Sequence, residues 1–214
     1  MAGGGVFVHF DNISGKKAEV YVDTEVHNSG KRTRTVAVET VLVDAGDVPV
    51  KRVSQQVKLQ AGESKTVRQR FAVRNPKLWS PDSPYLYRIQ SRVKAGHEVL
   101  DGGVTRVGIR KAEFKGKDGF WLNGKPFGQL VGANRHQDFA YVGNALPNSQ
   151  QWRDAKRLRD AGCTIIRVAH YPQDPAFMDA CDEMGLFVIV ATPDGNIGIK
   201  IRSSQSWYIG IPVR

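Results

Sequence analysis

Cysteine is scarce. Two residues in 214, Cys163 and Cys181, exclude a disulfide scaffold, and the absence of any C-x-x-C leaves no paired spacing for zinc. Each stands among apolar neighbours and reads as a buried free thiol. Long apolar runs are missing as well: nothing reaches the roughly 18 residues of a membrane span, so no membrane partner is expected. The opening "MAGGGVFVHF" lacks the basic start and long apolar middle of a signal peptide, and residues 1–5 read as a glycine-rich lead on an internal domain. The compartment stays open between a bacterial periplasm and a cytoplasm. No G-x-S-x-G and no phosphate loop is present, which sets aside the chemistry those motifs carry. No cofactor is expected.

Acid is short relative to base. Lys and Arg number 31 against 21 Asp and Glu, a formal net charge of +10 with pI ≈ 9.8. Such an excess invites a nucleic-acid partner. The charge is scattered, however, over "KRTR" (31–34), "KTVRQR" (65–70) and "RKAEFKGK" (110–117). Lys65, Arg68 and Arg70 sit within an alternating strand pattern and read as a solvated sheet face. With no recognition helix, RNP or zinc-finger pattern, no nucleic-acid partner is expected.

What the chain does have is two grammars. From Val6 to about Arg110 the period is two. In "AEVYVDTEV", Ala18, Val20, Val22, Thr24 and Val26 alternate with Glu19, Tyr21, Asp23 and Glu25. "TVAVETVLVD", "KTVRQRFAV", "YLYRIQSRV" and "GGVTRVGIRKAEF" follow the same rule, broken at "NSGK", "DAGD", "QAGES" and "NPKLWSPDSP". Strands of this kind bury one face and wet the other. About seven of them, with no helical pattern, predict an immunoglobulin-like β-sandwich over 6–110.

Near Lys111 the period changes. "FGQLVGA" reads as a short buried strand. "NSQQWRDAKRLRDAG" reads as a helix capped by Ser149, with Trp152, Ala155, Leu158 and Ala161 on its apolar face and Gly162 as its stop. "CTIIRVAH" is a second strand. "DPAFMDACDEMG" is a second helix, with Asp174 as cap, Pro175 in the first position and Gly185 closing it. "LFVIVA" is a third strand. Strand–helix–strand order means parallel pairing. Two polar clusters, "GANRHQDF" (132–139) and "RVAHYPQDP" (167–175), then fall just after strand ends, the edge where parallel α/β sheets bind ligands.

These residues carry a resemblance. "PKLWSPDSPYLY" (76–87), "GFWLNGKPF" (119–127), "GANRHQD" (132–138) and "RVAHYPQDPAFMDACDEMGLFVI" (167–189), in that order, resemble glycoside hydrolase family 2, the β-galactosidases, β-glucuronidases and β-mannosidases. The resemblance implies that the sandwich is followed by an incomplete (β/α)₈ TIM barrel, here residues 111–193. It implies a carbohydrate substrate, with His136 and His170 lining the sugar subsite and Asn134 and Arg167 supporting them. Asp138 either touches sugar or supports His136. The chain departs from the family pattern at Gln137, where glutamate is usual, and at Ala169, where serine is usual. With no third ligand beside the two histidines, no metal is expected.

The same resemblance places both catalytic glutamates on later barrel strands, so no residue of this chain is given a catalytic role. Retaining hydrolysis needs two carboxyls about 5–5.5 Å apart. Asp154 and Asp160 fall on an outer helix, and Asp182 and Glu183 are helix neighbours whose side chains diverge. The chain is therefore expected to be an inactive piece of a β-galactosidase-like glycosidase. The alternative is a non-catalytic sandwich that binds carbohydrate or protein. Strand "LFVIVA", left without a neighbour, predicts self-association through the incomplete barrel. Residues 194–214 follow neither pattern. Inserting one G after the Pro193 codon of a permitted back-translation gives "GWQYWNKDPKF", and the tail is expected to be frameshifted.

Overall fold

A computed structural model describes residues 5–190 of the chain. The tail at 194–214 lies outside the described residues. Two compact units are present. Their described parts are 5–78 with Tyr85–Ala112, and Trp79–Pro84 with 113–190.

The first unit has seven strands among the described residues: β1 (Val6–Asp11), β2 (Lys17–His27), β3 (Arg34–Val43), β4 (Pro49–Leu59), β5 (Ser64–Arg74), β6 (Tyr87–Ala95) and β7 (Glu98–Val107). They form two antiparallel sheets in the orders β1-β2-β5 and β4-β3-β6-β7. The period-two pattern explains the packing. Val20 and Val22 of β2 bury with Leu42, Phe71 and Ile89. Each fully buried side chain of this size contributes about 1.5–3 kcal/mol. A polar bolt crosses the core: Thr40 Oγ1 donates to Gln69 Oε1 at 2.5 Å, and Gln69 Nε2 donates to the Val38 carbonyl at 2.9 Å. Buried polar groups satisfied in this way fix how the sheets meet.

On the outer face of β2 and β5, Arg68 binds Asp23 and Arg70 binds Glu19, whereas Lys65, in step with the buried Val67 and Gln69, lies at the exposed start of β5 and binds Glu63. Lys17 and Arg70, joined by Asn12, hold the Glu19 carboxyl down at about 2.

The second unit opens with a small antiparallel sheet absent from the sequence reading: β8 (Ala112–Phe114), β9 (Phe120–Leu122) and β10 (Lys125–Pro126). Its hairpin turns at Asn123 and Gly124, both with positive φ, the Asn-Gly signature of a two-residue turn. Next come β11 (Gly132–Arg135), α1 (Asn148–Asp160), β12 (Ile165–Val168), α2 (Pro175–Met184) and β13 (Phe187–Val190). The three strands pair in parallel in the order β11-β12-β13. Ile166, Val168 and Val188 bury against Ala155, Phe177 and Ala180 of the helices. Phe187 points to the other face, where Phe120, Phe127 and Trp79 meet it edge-on at 5.2–5.5 Å.

Four expectations need correction. Trp79–Pro84 was placed within the 6–110 sandwich but belongs to the second unit. There Trp79 Nε1 donates to the Asp182 carbonyl at 2.8 Å, and Asn123 Nδ2 donates to the Trp79 carbonyl at 3.0 Å. The first barrel strand is 132–135, not "FGQLVGA", and is mostly exposed, because among the described residues β12 is its one neighbour. Ser149 does not cap α1. Pro147 is extended there, and its carbonyl accepts the Gln150 and Gln151 amides at 2.9 and 3.3 Å. Cys181 is buried and its thiol is pushed up by desolvation, whereas Cys163 is only half-buried.

The second helix forms as read. Asp174 accepts from Ala176 N at 2.7 Å, Pro175 occupies the first turn and Gly185 closes in the left-handed region with φ 74°. Gly185 is doubly required, since a Cβ there would run into the backbone of Pro81.

Candidate functional site

Register decides which side chains share a face. Asn134 on β11 is opposite Arg167 on β12, and Arg135 is opposite Val168. Asn134 and Arg167 therefore project from one face of the sheet while Arg135 turns to the helices. Gly132 has a local reason: a side chain there would collide with the Ile165 carbonyl of the neighbouring strand.

Beyond the strand ends, His136 and His170 come together. Their rings lie edge to face, centroids 5.3 Å apart at 74°. Both residues are exposed. Arg167 Nη2 lies 3.1 Å from His170 Nδ1. A guanidinium only donates, so Nδ1 is the acceptor and the neutral ring carries its proton on Nε2. Among the described residues no hydrogen bond engages the His136 ring or the side chains of Asn134 and Asp138. All three are exposed. Of the five residues singled out from sequence, the structure joins His136, His170 and Arg167 by direct contact. It sets Asn134 beside Arg167 through the register and leaves Asp138 on the loop beyond.

Residues outside that set hold the site in place. Arg135 is buried, stacks over the Phe177 ring with its guanidinium carbon 4.0 Å from the centroid, and donates to Gln173 at 2.6 Å, Gln151 at 2.7 Å and Asp154 at 2.9 Å. Gln173 returns a bond to the Arg135 carbonyl at 2.6 Å, and Ala169 N donates to the same carbonyl at 2.9 Å. Gln137 N donates to Tyr171 Oη at 2.9 Å, and its Oε1 accepts from Asp174 N at 2.6 Å. Alternation along β11 is the sequence signal that turns Arg135 inward. The glutamine partners come from two other segments and have no local signature.

The second unit's described carboxylates near this edge are largely committed. Asp154 pairs with Arg135 and Asp174 caps α2, while Asp160, at the far end of α1, pairs with Lys156. No group of three or more His, Cys, Asp or Glu among the described residues is placed to hold a metal. No described helix is long and apolar enough to cross a membrane.

The two histidines follow the C-terminal ends of parallel strands, the edge at which parallel α/β folds carry their ligands. The chain belongs to the glycosyl hydrolases family 2: residues 5–110 match that family and residues 113–207 match its TIM barrel domain. The chain is 35% identical over 189 residues to a β-galactosidase of Thermoanaerobacter pseudethanolicus, covering 88% of this chain and 25% of that one. A β-glucuronidase of Formosa agariphila is 30% identical over 207 residues, covering 96% and 21%. Among solved structures, a family 2 member from Bacteroides cellulosilyticus superposes with a TM-score of 0.84 at 34% identity, covering 88% of this chain and 26% of that one. The chain thus spans about a quarter of the length of these relatives. Its fold is the family's sandwich domain and the start of its TIM barrel.

Proposed function

We propose that the ends of β11 and β12 form the histidine wall of a sugar subsite in a retaining, β-galactosidase-like glycosidase. The observation that carries this reading is the exposed His136–His170 pair with its second-ring tautomer set by Arg167. His170 offers Nε2–H to a sugar hydroxyl. His136 offers one donor and one acceptor, and the Asn134 amide, on the face it shares with Arg167, adds both kinds. These groups bind and orient a polyol. They do not supply the proton donor and nucleophile that cleavage requires.

Asp138 is an exposed carboxylate at this edge with no hydrogen bond among the described residues, and a single carboxylate does not make the pair. The 214-residue chain alone therefore gives no turnover of nitrophenyl β-galactoside above background, and binds sugar at about millimolar strength or weaker, since half a pocket cannot desolvate its ligand. In a chain with a complete barrel activity is expected, and His170→Ala there lowers kcat/KM by about 100-fold or more. Robust turnover by the 214-residue chain, abolished by changing Asp138 or Asp182, would overturn this reading.

Self-association belongs to the same reading. Among the described residues β13 pairs only with β12, and a strand edge of this kind is where a second copy would add. Light scattering at high concentration should show oligomers, and a strict monomer would count against this. A sandwich that binds sugar by itself is less favoured. A cavity of about 700 Å³ in it is lined by Val26, Leu59 and Val93 together with the polar His27, Asn28 and Arg32, and offers no Phe, Tyr or Trp for a sugar ring to stack on. Retained sugar binding by residues 1–110 alone would reverse that preference.

A further inference from the structure

The start of α2 is satisfied from outside the helix. A helix that caps itself places Glu or Gln at its third position, where the side chain reaches back to the cap residue's own N–H. Here the cap is Asp174 and the third position is Phe177, which is apolar and fully buried under the Arg135 guanidinium. The Asp174 N–H donates instead to Gln137 Oε1, 2.6 Å away on the loop after β11. Because a backbone N–H only donates, the orientation of the Gln137 amide is fixed, and its Nε2 faces the Asn144 carbonyl at 3.4 Å. The half of a capping box that α2 lacks is thus provided by a residue of the sugar-facing loop.

This bond has a consequence one residue earlier. His136 lies between Arg135 and Gln137, and both are fastened to the 169–174 segment that carries His170. Arg135 is held through Gln173 and Ala169, and Gln137 through Tyr171 and Asp174. The His136 ring itself has no hydrogen bond among the described residues. Its edge-to-face placement on His170 is therefore set by the backbone clamps on either side, and the Gln137 clamp is the more exposed of the two.

We propose that Gln137 is a positioning residue: by completing the cap of α2 it locks the two loops together and fixes the distance and angle between His136 and His170. Sugar contact is not its role. The inference rests on the histidine pair being the sugar subsite, but the clamp is testable without any sugar. A glutamate at 137 would keep the acceptor and add an anion at a helix N-terminus, so Gln137→Glu should preserve the arrangement. Gln137→Leu keeps the bulk and removes the acceptor.

The experiment uses the 214-residue chain labelled at histidine. In the unaltered chain, NMR should show a through-space contact between the His136 and His170 rings. Gln137→Leu should abolish that contact and shift both ring signals while leaving those of His9, His27 and His97 in place. Gln137→Glu should retain it. Should Gln137→Leu unfold the second unit, Tyr171→Phe removes only the hydroxyl that accepts the Gln137 N–H and should move the same two ring signals. Retention of the ring contact in Gln137→Leu, its equal loss in Gln137→Glu, or unmoved signals in Tyr171→Phe would overturn the proposal. If the unaltered chain shows the ring contact and its loss in Gln137→Leu but no response to sugar, the subsite reading fails and the clamp stands. If sugar perturbs the histidines equally in the unaltered chain and in Gln137→Leu, the clamp fails and the subsite stands.

Discussion

The sandwich and the barrel start use their polar residues in opposite ways. In the first unit buried polarity closes the structure: Thr40 and Gln69 bolt one sheet to the other, and the acids of the outer face are consumed by Lys17, Arg68 and Arg70. In the second unit the buried Arg135, Gln151 and Gln173 hold two loops that carry the exposed His136, Asp138 and His170. Antiparallel strands joined by hairpins satisfy one another locally. A parallel sheet needs its crossover helices, and it leaves the loops after its strands free to carry chemistry. On the proposed reading, ligand contact therefore falls to the second unit and a closed polar interior to the first.

Four substitutions test that division, in falling order of effect. Phe187→Ala empties the centre of the cluster formed with Trp79, Phe120 and Phe127. It should cost about 3–5 kcal/mol, seen as loss of the His136 and His170 signals with the sandwich spectrum unchanged. A sandwich that melts along with it would show that the units are not separable. Arg135→Met strands Asp154, Gln151 and Gln173 around an apolar side chain. About 2–3 kcal/mol is expected, less than the roughly 3–5 kcal/mol of a fully buried pair because Asp154 is partly exposed. Urea unfolding of the second unit reads it. Gly185→Ala forces a left-handed alanine against Pro81 and should cost about 2 kcal/mol. An unchanged midpoint would mean that the Trp79–Pro84 segment gives way.

The smallest effect is a pH slope in the sandwich. Lys17 and Arg70 hold Glu19 at about 2 in the fold, below its ordinary 4.5. A depressed carboxylate stabilises above its unfolded value, and the contribution drains away as pH falls through the folded one. Thermal stability of the sandwich should decline between about pH 4.5 and 2, and Glu19→Gln should flatten part of the decline. Asp23, held low by Arg68, and Glu39, held low by Lys94, keep the remainder. A slope identical in Glu19→Gln would remove Glu19 from the account.

The same division explains what could be read from sequence. Period-two alternation is a local signal, and the sandwich strands follow from it. The second helix could be read from Asp174, Pro175 and Gly185, because caps act within a few residues. His136 and His170 stood out because each follows an apolar strand. The Asn123-Gly124 hairpin is a local signal of the same kind. Other features were not legible. Trp79 lies within sandwich sequence and packs on Phe187, more than a hundred residues later. The Arg135 and Gln137 clamps join side chains on three segments with no shared period. Such contacts exist only once the chain is folded.

The central claim is that sugar is met by the two barrel histidines and by none of the three in the sandwich. Histidine-labelled chain titrated with galactose reads all five rings in one spectrum. Selective movement of the His136 and His170 signals, saturating at about millimolar sugar or above, is the predicted result. Movement of His9, His27 or His97 to the same extent, or no movement of His136 and His170 at any concentration, would contradict it.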